Sequence, residues 1–283
     1  MTPTKHVKKP DWLKIKLGDN EQFTYTKQVL EKHCLHTICT SGRCPNQGEC
    51  WNRGTATFMI GGDICTRSCR FCNTKSGRPA PLNPDEPERL ATSVGLMKLK
   101  HAVVTSVDRD DLPDFGAAHW VNCIEAIKKR NPDTTLEVLI PDFRGRLDLV
   151  DLIIDAGPNV ISHNLETVRR LTPSVRSVAT YDTSMNVLRH IAASGISAKT
   201  GIMLGLGETE AEILELMDEV LAAGVSTITI GQYLQPTRKH LPVSEYVTPE
   251  QFEKIRLIGI KKGFKNIECA PLVRSSYHAE RHV

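Results

Sequence analysis

Thr57-Phe58-Met59-Ile60-Gly61-Gly62-Asp63-Ile64-Cys65-Thr66-Arg67-Ser68-Cys69-Arg70-Phe71-Cys72 is the stretch on which the fold turns. Its first four residues are a short run of apolar and β-branched side chains, which predicts a buried strand. Gly61 and Gly62 then let the backbone turn sharply. Three cysteines follow, spaced Cys65-x3-Cys69-x2-Cys72. In parallel α/β folds, chemistry gathers where strands end, so ligating residues just past a strand belong at the mouth of a sheet or barrel.

The rest of the chain repeats this strand-then-helix alternation, the signature of a parallel sheet wrapped by helices. Strands are expected at 57–60, 102–106, 135–140, 160–165, 198–204 and 227–230. Helices are expected at about 85–99, 115–130, 147–156, 182–194 and 210–223, with stops such as Gly157, Gly195 and Gly224. A further helix follows Thr248-Pro249-Glu250, where threonine caps and proline takes the first turn. Six such units predict a partial, TIM-like (β/α)6 barrel of α/β class. Around the barrel at 55–264 lie an N-terminal extension, 1–54, and a C-terminal one, 265–283.

A chain of 283 residues with 40% hydrophobic content can bury one large core. Its formal charge of +3 is near balance, so no nucleic-acid partner is expected from net electrostatics, although a local basic patch stays open. No stretch reaches the roughly 18 apolar residues of a membrane span. The first twenty residues combine several lysines with two prolines and contain no arginine, unlike a signal or transit peptide. A cytoplasmic protein without a membrane partner is expected.

Of nine cysteines, six form two triplets: Cys39-x4-Cys44-x5-Cys50 and Cys65-x3-Cys69-x2-Cys72. In a reducing compartment such clustering reads as thiolate ligation rather than disulfides. Cys34, Cys123 and Cys269 are left over as small, partly buried residues, Cys34 being the one beside the first triplet. A four-iron cube held by three thiolates keeps one iron open for a small molecule. Zinc is the competing reading, with His33 or His36 completing a site at the first triplet. Against it, zinc modules favour cysteine pairs, and a nucleic-acid-binding module would carry more than 5% aromatics. Gly205-Leu206-Gly207-Glu208-Thr209 lacks the spacing of a phosphate loop.

The second triplet, with Phe71 directly before Cys72, resembles the motif of the radical S-adenosylmethionine superfamily. The first lies in Arg43-Cys44-Pro45-Asn46-Gln47-Gly48-Glu49-Cys50-Trp51, which is similar to the auxiliary-cluster motif of the lipoyl synthase family. Thr105-Ser106-Val107-Asp108-Arg109-Asp110-Asp111-Leu112, His163-Asn164-Leu165-Glu166-Thr167, Gln232-Tyr233-Leu234-Gln235-Pro236-Thr237 and Arg274-Ser275-Ser276-Tyr277 extend the likeness along almost the whole chain. Methylthiotransferases and biotin synthase share the second triplet's chemistry but do not explain the first.

The resemblance implies two 4Fe-4S clusters and S-adenosylmethionine. Cys65, Cys69 and Cys72 would hold the cluster that cleaves S-adenosylmethionine, at a potential toward the low end of the roughly −700 to +450 mV range of such centres. Cys39, Cys44, Cys50 and Ser276 would hold a second cluster consumed as sulfur source, and Arg274 would contact substrate or that cluster. Serine oxygen is a poorer iron ligand than thiolate, which suits a cluster that must come apart. The implied reaction adds two sulfurs at the sixth and eighth carbons of an octanoyl-lysine. Those carbons have no usable acidity, so radical rather than acid–base chemistry is required. The implied partners are octanoylated carrier domains (2-oxoacid dehydrogenase transferase subunits and glycine cleavage H protein), a low-potential donor such as ferredoxin or flavodoxin, and an iron–sulfur carrier for cluster repair.

Phe71, Thr105, Ser106, Asn164, Glu166 and Lys199 are the expected contacts to S-adenosylmethionine, Asn164 and Glu166 sharing a face by the two-residue strand period. Arg70 stands where the family commonly has proline, and Ser162 where asparagine is frequent.

Overall fold

The computed structural model describes residues 9–14 and 20–282, so the basic N-terminal leader lies largely outside the described residues. In chain order the strands are β1 (His36–Thr37), β2 (Thr57–Ile60), β3 (Ile64–Cys65), β4 (Lys75–Ser76), β5 (His101–Ser106), β6 (Thr135–Leu139), β7 (Val160–Ser162), β8 (Ser197–Leu204), β9 (Thr227–Gln232) and β10 (Asn266–Cys269). The principal helices are α1 (Glu21–Lys32), α2 (Ile38–Ser41), α3 (Gln47–Asn52), α4 (Glu86–Leu96), α5 (Ala117–Arg130), α6 (Leu147–Ala156), α7 (Thr172–Val175), α8 (Tyr181–Ala193), α9 (Glu210–Ala222) and α10 (Pro249–Lys262).

All six expected strands are present, although the one expected at 160–165 ends at Ser162, which leaves Asn164 and Glu166 past the strand rather than on one face of it; the main sheet runs β1-β2-β5-β6-β7-β8-β9-β10. Only the β1–β2 pair is antiparallel, and the sheet is open between β1 and β10. The sheet therefore extends past the six anticipated strands. β10 pairs in parallel with β9, from within the segment read as a C-terminal extension.

Sequence explains the elements locally. The helix after β8 starts at Thr209 and α10 starts at Thr248, each a capping box with Glu212 or Gln251 returning the bond. α6 ends on Gly157 in the left-handed region, at φ 69°. Outward strand residues, among them Phe58, Ile60, Val104, Leu136, Val138, Ile161, Ile228 and Ile230, are buried with the inner faces of the helices in one core. Each such side chain contributes about 1.5–3 kcal/mol on burial.

The inward faces carry polar groups. Lys199 and Glu137, both wholly buried, form an ion pair with Nζ 2.9 and 3.0 Å from the two carboxylate oxygens, and Ser162 donates to the same carboxylate at 2.8 Å. This trio joins β6, β7 and β8. Lys199, expected as a cofactor contact, is thereby committed to the barrel interior.

Candidate active site

A cavity of about 330 Å³ opens at the C-terminal ends of the strands. One wall is the second cysteine triplet. Cys65 ends β3, whose two-residue ladder with β4 closes the loop, and Gly77 N–H donates to the Cys65 carbonyl at 2.9 Å. The backbone N–H groups of Arg67 and Asp108 point at Cys65 Sγ, at 3.4 and 3.3 Å. Burial pushes the Cys65 thiol up to about 12 and Cys72 upward. Without a positive centre these thiols stay protonated at neutral pH. Metal ligation reverses that balance by favouring the thiolate.

The loop is clamped by Arg67, which is only 5% exposed. Its guanidinium meets Asp108 at 3.2 Å, Asp110 at 2.9 Å and Asp142 at 2.7 Å. Burial and the two neighbouring carboxylates raise the Asp108 carboxyl even though Arg67 opposes the shift. Arg67 and Asp108 stand inside the motifs of the two loops, but nothing in their local spacing gives them a role. The three carboxylates come from two distant loops, a convergence that no local spacing announces.

Phe71, Thr105, Ser106, Asn164 and Glu166 all reach this cavity, and Lys199 does not. Thr105 donates to the Leu139 carbonyl at 3.1 Å. Asn164 Oδ1 is buried with no hydrogen-bond partner, an acceptor awaiting a donor. Glu166, held at φ 67°, has its carboxyl raised by burial, with Arg176 opposing. Arg176 went unrecognised in the sequence; it donates to the Asn164 carbonyl at 3.3 Å and to Ser184 at 2.7 Å. Gly201 is needed here, because a Cβ would stand 2.9 Å from Asn164 Oδ1 and 2.6 Å from Thr229 Oγ1. An orphan acceptor beside a buried carboxyl fits a ligand bearing hydroxyl and ammonium donors, as S-adenosylmethionine does.

The first triplet lies behind the facing wall. Cys39 rides on α2, Cys44 N–H donates to the Cys39 carbonyl at 2.9 Å, and Cys50 lies on α3. Burial raises all three thiols: burial and Cys44 push Cys39 up to about 11, burial with Cys39 and Cys44 pushes Cys50 up to about 12, and burial alone raises Cys44. Trp51 Nε1 is buried with no conventional acceptor and lies against the Cys39 thiol, lowering its pKa.

The C-terminal segment packs on this triplet. Arg274 acts on Cys44, Tyr277 OH donates to Glu49 at 3.1 Å, and Thr57 Oγ1 donates to Ser276 Oγ at 2.7 Å. Thr57 also bonds Cys39, so it links Ser276 to the triplet, whereas Ser275 faces the cavity. Among the described residues no three His, Cys, Asp or Glu side chains are close enough to hold one metal ion, and His33 and His36 do not complete such a site. A four-iron cube instead takes each ligand at a separate corner.

The Radical SAM superfamily model matches residues 59–220. A lipoyl synthase of Porphyromonas gingivalis is 76% identical over 279 residues, 98% of this chain and 99% of that protein. The chain belongs to the lipoyl synthase family. Other family members include lipoyl synthases of Bacteroides fragilis, 66% identical over 99% of this chain and 97% of that one, and of Treponema denticola, 61% identical over the same shares. Likeness to solved structures supports the fold. Streptococcus suis SuiB bound to S-adenosylmethionine superposes with TM-score 0.58 at 11% identity, covering 79% of this chain and 54% of SuiB. Coproporphyrinogen III oxidase from Escherichia coli gives 0.54 at 14%, covering 79% of this chain and 57% of that enzyme. This family member thus spans little more than half of either structure.

Proposed function

We infer that this chain is a radical S-adenosylmethionine sulfurtransferase. It inserts two sulfur atoms at the sixth and eighth carbons of a protein-bound octanoyl-lysine to give the lipoyl group. The observation that carries the reading is a shared cavity. Cys65, Cys69 and Cys72 form one wall, and Gly42, Arg43, Pro45, Arg274 and Ser275, which surround the first triplet, form another.

When bound, a cluster at the second triplet supplies the electron that cleaves S-adenosylmethionine, and a cluster at the first supplies sulfide. The chain's residues bind, orient and shield. Cys39, Cys44, Cys50 and Ser276 would hold the cluster at the first triplet, with Thr57 fixing the serine oxygen. Asn164 and Glu166 accept from the ribose and amino groups of S-adenosylmethionine, while Thr105, Ser106 and Phe71 line its seat. Arg274 places a cation between the cavity and Cys44. Leu139, Ile140 and Met203 supply apolar lining suited to an alkyl chain and exclude water from it.

In this reading, the auxiliary-cluster unit lies in the N-terminal extension (1–54) and in the C-terminal extension (265–283) beyond β10, against a barrel expected at 55–264 whose sheet takes in β10 as well. The substrates are octanoylated carrier domains of 2-oxoacid dehydrogenases or of glycine cleavage H protein. Ferredoxin or flavodoxin supplies electrons, an iron–sulfur carrier restores the spent cluster, and the enzyme works in the cytoplasm. Among the described residues no helix is long and apolar enough to cross a membrane.

The test is anaerobic reconstitution followed by incubation with dithionite, S-adenosylmethionine and an octanoyl-lysine peptide. About eight irons per chain, twice the four of one cube, and a dithiolated product by mass spectrometry are expected. Cys44→Ala should still cleave S-adenosylmethionine but transfer no sulfur; normal thiolation by that variant would overturn the division of labour between the triplets.

A further inference from the structure

Four basic side chains on or next to segments that line the cavity have no carboxylate partner among the described residues. Arg43, Arg70, Arg238 and Lys239 are exposed, and none forms an ion pair among the described residues. Arg43 and Arg70 donate only to backbone carbonyls, those of Pro236 at 3.4 Å and Ser174 at 3.1 Å. Cations elsewhere differ: Arg170 meets Glu212 at 2.6 Å, Lys254 meets Glu210 at 2.7 Å and Arg256 meets Glu253 at 2.7 Å. Against a net charge of only +3, four uncompensated cations at one opening concentrate the positive field there.

Of the four, Arg43 lines the cavity itself and Arg70 stands between the lining residues Cys69 and Phe71. Arg43 and Pro236 both line the cavity, and their hydrogen bond ties the N-terminal extension to the loop after β9. Arg238 and Lys239 follow Pro236 on that loop. It is strapped to the cysteine loop by His240 on the Cys72 carbonyl at 2.9 Å and by Leu241 N–H on the Arg70 carbonyl at 3.1 Å. The cations are therefore held on fixed backbone around the entrance, and the walls below them are partly apolar.

We propose that Arg43, Arg70, Arg238 and Lys239 form a docking rim for a folded carrier domain whose surface is acidic around its acylated lysine. This rests on the octanoyl-lysine reading and adds to it the charge of the partner's face. Opposed charge at a rim acts mainly on encounter and partner choice, while the alkyl chain in the cavity supplies contact energy. Such attraction weakens as salt shortens the Debye length.

The test uses reconstituted enzyme, an octanoylated carrier domain, and an octanoyl-lysine tripeptide without acidic residues. Calorimetric binding and thiolation are measured in parallel at low and physiological salt. With R238E/K239E, carrier affinity should fall at least tenfold and lose most of its salt dependence. The neutral R238Q/K239Q pair should give an intermediate loss. Tripeptide thiolation and S-adenosylmethionine cleavage should be unchanged. Unchanged carrier affinity in both variants overturns the rim, and so does an equal loss with the tripeptide, which would mean that the loop merely shapes the cavity. Wild-type protein that binds carrier in a salt-dependent way without thiolating it would keep the rim and refute the reaction.

Discussion

His163 shows how a single buried residue can carry a pH dependence of stability. Its Nδ1 lies 2.9 Å from the Ile140 carbonyl, which fixes the proton there. Its Nε2 lies 3.0 Å from Ser184 Oγ, itself occupied by the Arg176 guanidinium. Burial, with Arg176 adding to it, holds the imidazole down at about 4. An unfolded histidine titrates near 6.5, so between these values the unfolded chain binds the extra proton. Stability is then complete above about 6.5 and is lost as pH falls toward about 4, by roughly 3 kcal/mol at most. Melting temperature should drop between pH 7 and 5, and His163→Gln should flatten that drop; an identical slope in the variant would assign the effect elsewhere. Lys199 makes the complementary case. Lys199→Met leaves the Glu137 carboxylate buried without its cation, a loss of about 3–5 kcal/mol. Glu137→Gln combined with Lys199→Met should recover much of it in urea melts. A lysine in a strand that reads as a rim contact in sequence is thus spent on packing, because its partner is 62 residues away in the chain.

At the scale of elements, legibility followed locality. The helix at 147–156 was readable to the residue because its apolar period and Gly157 stop are both local. The six inner strands were readable because each is a buried run between breakers. β10 was not, since Asn266-Ile267-Glu268-Cys269 is only four residues long and is defined by pairing with β9. The cysteine ligands were visible as spacing, whereas the Arg67 clamp and Arg176 depend on approaches across the barrel. Gly231 illustrates a close approach with a testable cost. A Cβ there would collide with the Val273 carbonyl, a backbone atom that cannot swing aside. Gly231→Ala should therefore displace the segment from Val273 to Ser276 while leaving the cysteine loop after β2 in place. Reconstituted variant is expected to hold about four irons instead of eight, with S-adenosylmethionine cleavage retained; a full complement would show that the segment adapts.

At the scale of the whole molecule, the open edge of the sheet matters more than the barrel. The N-terminal extension and the C-terminal segment are far apart in sequence but bonded to each other: Asn46 Nδ2 donates to the Leu272 carbonyl at 2.7 Å, Tyr277 to Glu49 at 3.1 Å, and Arg53 pairs with Glu280 at 3.0 Å. β1 adds only two residues of ladder, so these cross-links and the packing of α1 and α3 do most of the holding. Elements held by few backbone pairings open at lower free energy than the core. Deleting residues 271–283 removes all three contacts together with Ser276 and leaves the β2–β10 sheet intact. Limited proteolysis should then cut within 33–54 first, long before the helices of the barrel, and the cluster at the first triplet should fail to load while the one at Cys65, Cys69 and Cys72 still does. Protection of 33–54 in the truncated protein would place the stability of the extension in its own helices rather than in the strap that closes over it.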